Sequence, residues 1–348
     1  MHAVRLVIIV GGLAVFIACL PLMIRNAIKN EPVPISSIEA QRALGQRLFN
    51  DPQLSADGAH RCASCHVPQM AYTDGRRVAI GVDGRLGTRN TPSLSVISAL
   101  GNTSFFWDGR RATLEQAVMD PFINPVEMGL HDSGTLIDKL IGDSAYRMAF
   151  AKSFPDAPDI TTAHIAHALA AYIRSLDPGH SAYDRYRAQH DPKLLSAKAQ
   201  QGLLLFSGKG QCAECHQLEG APVTLTDHAY HRTSVPLGAV EQTLPALTQG
   251  VVERSLQDSD VGNRVATHDD EALLGRFNVT RNPTDIGLFR TPSLRGVALT
   301  APYMHDGSVA TLDEAIDREV YYRSLQTGHP LNLSVQEKQD LRAFLETL

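Results

Sequence analysis

From Leu6 to Ile24 the chain runs 19 residues without a charge, and beyond it apolar positions recur at helical rather than alternating spacing. As a helix rising about 1.5 Å per residue, the first run nearly spans a hydrocarbon core of about 30 Å. It predicts an uncleaved signal-anchor within residues 1–30, with Arg5 before it and Arg25 and Lys29 after it. A cleaved signal peptide is the alternative, and Ile17-Ala18-Cys19 faintly resembles a lipoprotein cleavage box. Downstream, helix starts are marked by the Ser/Thr-x-x-Glu/Gln capping pattern at Ser36/Glu39, Thr113/Gln116, Thr311/Glu314 and Ser334/Glu337. Thr161 to Leu176 predicts a further helix, closed by Asp177-Pro178-Gly179. Strand-like alternation is scarce, while Gly and Pro punctuate residues 74–110, 218–250 and 280–310. The pattern predicts a mainly α fold with long ordered loops, and loops of that length in a compact domain usually wrap something.

A repeat organises the chain after the first run. Gly45-x-x-Leu48-Phe49 leads into Cys62-Ala-Ser-Cys65-His66, and Gly202-x-x-Leu205-Phe206 leads into Cys212-Ala-Glu-Cys215-His216. Thr91-Pro92-Ser93-Leu94 recurs as Thr291-Pro292-Ser293-Leu294, and Trp107-Asp108-Gly109 as His305-Asp306-Gly307. The blocks keep their order at offsets of 150, 200 and 198 residues, which divides the chain into two related modules, 31–190 and 191–348.

Composition narrows the function. The 32 basic and 37 acidic residues give a net charge of −5 with no Lys/Arg-rich run, which argues against a nucleic-acid partner. The 43% apolar and 20% charged residues are those of an ordinary globular chain. An exported chain meets an oxidising compartment, where four cysteines could form disulfides. Their spacing points elsewhere. Cys-x-x-Cys-His is the attachment site of c-type haem: two thiols add across the vinyl groups and the adjacent histidine ligates iron. Two copies, each after a Gly-x-x-Leu-Phe segment, predict two covalently bound haems, on Cys62, Cys65 and His66 and on Cys212, Cys215 and His216. Each would fill the core of a cytochrome c-like domain.

Read with Arg89-Asn90-Thr91-Pro92-Ser93-Leu94, Phe106-Trp107-Asp108-Gly109-Arg110, Asn124-Pro125-Val126-Glu127-Met128-Gly129 and Thr300-Ala301-Pro302-Tyr303-Met304-His305-Asp306-Gly307, this order of motifs resembles the bacterial di-haem cytochrome c peroxidase/MauG family after about residue 40. The resemblance implies that hydrogen peroxide reacts at an open N-terminal haem while a six-coordinate C-terminal haem handles electrons. It makes Glu127 the acid/base over the open face, where O–O cleavage needs a proton moved between oxygens. Gln116 matches a pocket glutamine, in competition with its capping role, and Trp107 matches the aromatic between the haems. Asn90 with Thr300 and Pro302 resembles an interhaem calcium site.

The chain departs from the family at two places. Many members hold a blocking histidine after the first motif, whereas no histidine lies between His66 and His131, so the first haem is expected to be open without reductive activation. The family's Met or Tyr ligand to the second haem falls eight residues after Thr311, on Glu319; Tyr322, one helical turn on, is the favoured alternative for that sixth ligand. Electrons would come from a small redox protein, a c-type cytochrome or cupredoxin, or from a protein residue undergoing oxidation. The expected location is the periplasm, tethered to the inner membrane by residues 6–24, with membrane contact through that segment only. The rival reading is a di-haem electron-transfer cytochrome without peroxide turnover.

Overall fold

Helices carry this fold because capping residues and apolar spacing coincide along most of the chain. The computed structural model describes residues 35–97, 104–177, 179–220, 222–235, 237–255 and 261–348. The first half holds α1 (Ile35–Asn50), α2 (Cys62–Cys65), α3 (Leu114–Ala117), α4 (Asp120–Ile123), α5 (Ser133–Gly142), α6 (Ser144–Ser153) and α7 (Thr162–Arg174). The second holds α8 (Ala182–Gln189), α9 (Ala197–Ser207), α10 (Leu244–Ser255), α11 (Val261–Thr267), α12 (Asp269–Ala272), α13 (Phe277–Thr280), α14 (Leu312–Thr327) and α15 (Val335–Leu345). Among the described residues the one sheet is a short antiparallel ladder of β1 (Tyr230–Arg232) and β2 (Leu288–Arg290), with His231 opposite Phe289. The predicted anchor at 6–24, with Cys19, lies outside the described residues. No described helix is long and apolar enough to cross a membrane.

Most predicted caps form. Thr113 accepts from the Gln116 backbone at 3.2 Å, Thr311 from Glu314 at 3.2 Å, and Ser334 from Glu337 at 3.2 Å. The first cap differs: α1 already includes Ile35, so Ser36 sits inside the helix rather than at its start. A local capping pattern cannot sense whether the chain before it is already helical. The short helices α11 to α13 leave no mark in the sequence, because segments of four to seven residues are too short to display a period.

Two main apolar clusters form. In the first, Leu48 of α1, Leu136 and Leu140 of α5, Phe150 of α6 and Ile165 of α7 are wholly buried. The second joins Phe206 of α9, Ile316 of α14 and Leu341 and Phe344 of α15, and draws in Tyr183 from α8. Burying each such side chain contributes about 1.5–3 kcal/mol. The repeated glycines sit where helices touch: a Cβ at Gly45 would stand 1.9 Å from the Ala168 carbonyl oxygen on α7, and one at Gly202 would stand 2.0 Å from that of Asp340 on α15. The Gly-x-x-Leu-Phe repeat therefore records one helix crossing made twice, the glycine allowing contact and the phenylalanine filling the core.

The halves are bound along a polar seam within the unit Ser36–Leu348. The Asn90 N–H donates to the His305 carbonyl at 2.9 Å and the Arg290 N–H to the Trp107 carbonyl at 2.8 Å. The Arg89 guanidinium reaches the Ala272 carbonyl at 2.7 Å, and that of Arg276 reaches the carbonyls of Asp108 and Gly109 at 3.0 and 2.9 Å.

Candidate functional site

The two Cys-x-x-Cys-His motifs present their histidines in the same way. The His66 Nδ1–H donates to the Tyr72 carbonyl at 2.9 Å, and the His216 Nδ1–H to the Leu225 carbonyl at 3.0 Å. A carbonyl can only accept, so each bond fixes the tautomer and leaves Nε2 as the bare donor atom, which is how a ligating histidine is oriented. Burial lowers the pKa of both rings, with the carbonyls opposing it, so both rings are neutral at pH 7. The thiols of the four motif cysteines are not paired in disulfides. Burial pushes those of Cys62, Cys65 and Cys212 up to about 12. Such thiols are poor candidates for a reactive redox pair.

The second motif opens onto a cavity of about 300 Å³, lined by Cys212, Cys215 and His216 and reaching Trp107. Four of its lining residues carry a buried polar atom without a hydrogen-bond partner: Thr91 Oγ1, Gln211 Oε1, His305 Nε2 and Arg323 Nε. Such atoms are costly to bury alone. Arg290 also lines this cavity; its Nε–H donates to the Phe106 carbonyl at 3.3 Å, and among the described residues no carboxylate pairs with it. Burial lowers its pKa. A flat, mostly apolar group carrying its own carboxylates suits this lining, so the residues fit a haem held by the second motif. One further cluster competes for the same sulfur: ligand atoms of Cys215, Asp227 and His231 lie within 4.8 Å of one another. Thioether formation at Cys215 would leave the His231–Asp227 pair, 2.7 Å apart, without a third partner.

Near the first motif, the Glu127 carboxylate accepts from the Asn124 amide at 2.7 Å. Burial raises its pKa, Arg110 opposes this, and Asp120 adds to it. Its charge acts on both Cys62 and Cys65, so the loop after α4 brings this acid to the first motif. Gln116 is exposed, and its side-chain oxygen accepts from the Ala112 and Thr113 N–H groups at 3.1 and 3.3 Å. That oxygen serves the cap of α3.

Trp107 lies on the seam, with its indole N–H donating to the Asn90 carbonyl at 2.8 Å. Beside it, Asp108 is fully buried between Arg89 and Arg110, at 3.3 and 3.2 Å. Burial raises the Asp108 pKa, but the two guanidinia outweigh it and the net shift is downward. Asn90, Thr300 and Pro302 line the same cavity as Trp107; the Asn90 amide donates to the Arg76 carbonyl at 2.8 Å.

Helix α14 settles which of two candidates faces the second motif. Its cavity-lining positions include Leu312, Ile316, Glu319 and Arg323, a helical stripe. Glu319 is on it, whereas Tyr322 is off it and packs edge-on against Tyr321. Arg323 pairs with Glu214, inside the second motif itself. Sequence reasoning missed Arg290 and His305 as cavity residues, and Ser234 as the hydrogen-bond partner of Glu319. The repeat held the signal for the first two, since Arg290 stands where Asn90 does at the 200-residue offset, and His305 where Trp107 does at 198.

A family profile described as di-haem cytochrome c peroxidase matches residues 39–192. The chain is similar to the cytochrome-c peroxidase IdrP1 of Pseudomonas sp. (strain SCT), at 34% identity over 91% of this chain and 84% of that protein. It is similar to the methylamine utilization protein MauG of Paracoccus denitrificans, at 33% identity over 89% of this chain and 88% of that protein. Among solved structures, a MauG-like protein associated with microbial copper homeostasis superposes with a TM-score of 0.70 and 33% identity, covering 89% of each chain.

Proposed function

Because the chain belongs to the di-haem cytochrome c peroxidase/MauG family, and is thus a peroxidase-type c-haem oxidoreductase, we propose that hydrogen peroxide is reduced at the first motif, with Glu127 handling the protons. The observation that carries this reading is the placement of Glu127, a carboxyl with raised pKa within electrostatic reach of Cys62 and Cys65. A general acid works best when its pKa lies near the working pH, and burial moves Glu127 in that direction. The haems, when bound, would supply the iron at which the O–O bond is cleaved and a second iron able to give or store an electron.

The chain's own residues then divide the work. His66 and His216, oriented by the Tyr72 and Leu225 carbonyls, would hold the two irons from one side. Asn124 fixes the Glu127 carboxyl, which would give one proton to the departing oxygen. Gln116 could contribute only through its amide N–H groups, since its oxygen serves the cap. Trp107, anchored at both its indole and its backbone, would bridge the modules. Asn90, Thr300 and Pro302 would hold a calcium ion beside it.

Two electrons and two protons per peroxide yield two waters. The donor would be a small c-type cytochrome or cupredoxin, or a residue of a protein substrate oxidised in the manner of MauG. Covalent haem attachment and the apolar run at 6–24 support a periplasmic site of action with an N-terminal tether. The test is a peroxide reaction of the fully oxidised holoprotein without prior reduction. High-spin ferric iron and a prompt optical change are expected; a wholly low-spin spectrum and no reaction would overturn the reading.

A further inference from the structure

The stripe that α14 turns toward the second motif is apolar at Leu312, Ala315 and Ile316 and then carries Glu319. Burial raises its pKa, opposed by hydrogen bonding from the Ser234 hydroxyl and backbone N–H, and its charge acts on both Cys212 and Cys215. Glu127 stands in the same electrostatic relation to Cys62 and Cys65. The two modules thus share a feature absent from their sequence repeat: each sets one glutamic acid against its attachment cysteines.

Other side chains near the second motif are Tyr322, Met304 and His305. Tyr322 is off the cavity stripe. Met304 lines the cavity as well, its sulfur 3.6 Å from the Ser234 hydroxyl oxygen. Met304 also repeats Phe106, a side chain that cannot ligate, with nearly the same backbone (φ +71° and +68°). His305, which also lines the cavity, is stacked on Phe289 with ring centroids 3.6 Å apart.

We propose that the cavity at the second motif is a second small-ligand site, in which Glu319 leaves the far side of the His216-held iron open to exchange with a small anion such as cyanide or azide. A carboxylate is a weak-field donor that leaves ferric iron high-spin, and a high-spin centre exchanges its ligand more readily than a low-spin one. The first module would then be the reactive one by virtue of Glu127, and the second a site that binds small ligands as well as relaying electrons. This inference rests on the proposed attachment of two haems.

The test is cyanide titration of the ferric holoprotein, after mass spectrometry has counted the haems. Wild type should bind two equivalents of cyanide per chain and show no low-spin ferric signal before titration. E319M, which offers a sulfur at the same position, should give one low-spin haem and bind one equivalent; E319Q should still bind two. Wild type binding one equivalent, with a low-spin haem untouched by E319M, overturns the inference and leaves the proposed function standing. Conversion of that haem to an exchangeable one by M304L would identify Met304 as the ligand and overturn the inference in the same way. A wild type that binds one equivalent, lost in E319M, would instead mean that the first haem is closed, and the proposed function would fail while the second site stood. Fewer than two attached haems removes the premise of both.

Discussion

The indole N–H of Trp107 donates to the backbone carbonyl of Asn90 at 2.8 Å, which ties the chain's single tryptophan to a loop of the first module whose Asn90 N–H donates in turn to the His305 carbonyl of the second. The residue is fixed twice, because its own carbonyl accepts from the Arg290 N–H in the other half. Trp107→Phe keeps an aromatic ring but loses the indole anchor. Electron exchange between the two haems, followed by stopped-flow absorbance, should slow by about tenfold or more, equivalent to at least about 1.4 kcal/mol on the barrier. The first encounter with peroxide should keep its rate.

Glu127→Gln preserves the bond to Asn124 through the amide oxygen but cannot shuttle a proton. The peroxide reaction of the oxidised holoprotein should fall by roughly 10²–10⁴-fold, the range of a lost general acid/base. Both haems should remain attached and reducible by dithionite. An unchanged rate would favour the electron-transfer cytochrome over the peroxidase.

Asp108→Asn leaves Arg89 and Arg110 buried beside a neutral amide. Removing one partner of a buried ion pair costs about 3–5 kcal/mol, read as a lower denaturant midpoint. The wild type is also acid-sensitive here. Because the folded pKa of Asp108 is depressed below its ordinary 3.8, its contribution is full above that value and is lost as pH falls through the lower folded pKa. Asp108→Asn should flatten that part of the acid limb of the stability curve.

Gly45→Ala and Gly202→Ala each push a Cβ into a backbone carbonyl across a helix crossing. Each should destabilise by about 1–3 kcal/mol through overpacking. If either is neutral in thermal denaturation, the crossing is looser than the 1.9 and 2.0 Å approaches require.

What could be read from the residues follows from what leaves a local trace. The caps at Thr113, Thr311 and Ser334 are short-range signals, and each has a direct structural counterpart. Glu127 in a Pro-containing loop has no such trace; only the resemblance to a family drew attention to it. Which of Glu319 and Tyr322 lines the cavity depends on the direction that α14 presents to its neighbours, which is set by how the rest of the module packs against it rather than by α14 alone. The three-residue ladder of β1 and β2 and the helices α11 to α13 are too short for periodicity, and their stability comes from contacts with distant segments. Tertiary partners decided these elements, and tertiary partners are invisible to a window of sequence.

The cation at Arg290, which no carboxylate pairs among the described residues, has a bearing on biogenesis. A polypeptide that closed around it without prosthetic groups would bury a charge facing no anion, at a penalty a marginally stable domain can ill absorb. Maturation is therefore expected to couple ligation to collapse: chains made without the haem-ligation machinery should stay expanded and be degraded by proteases, and the arrival of porphyrin carboxylates should trigger the final closure.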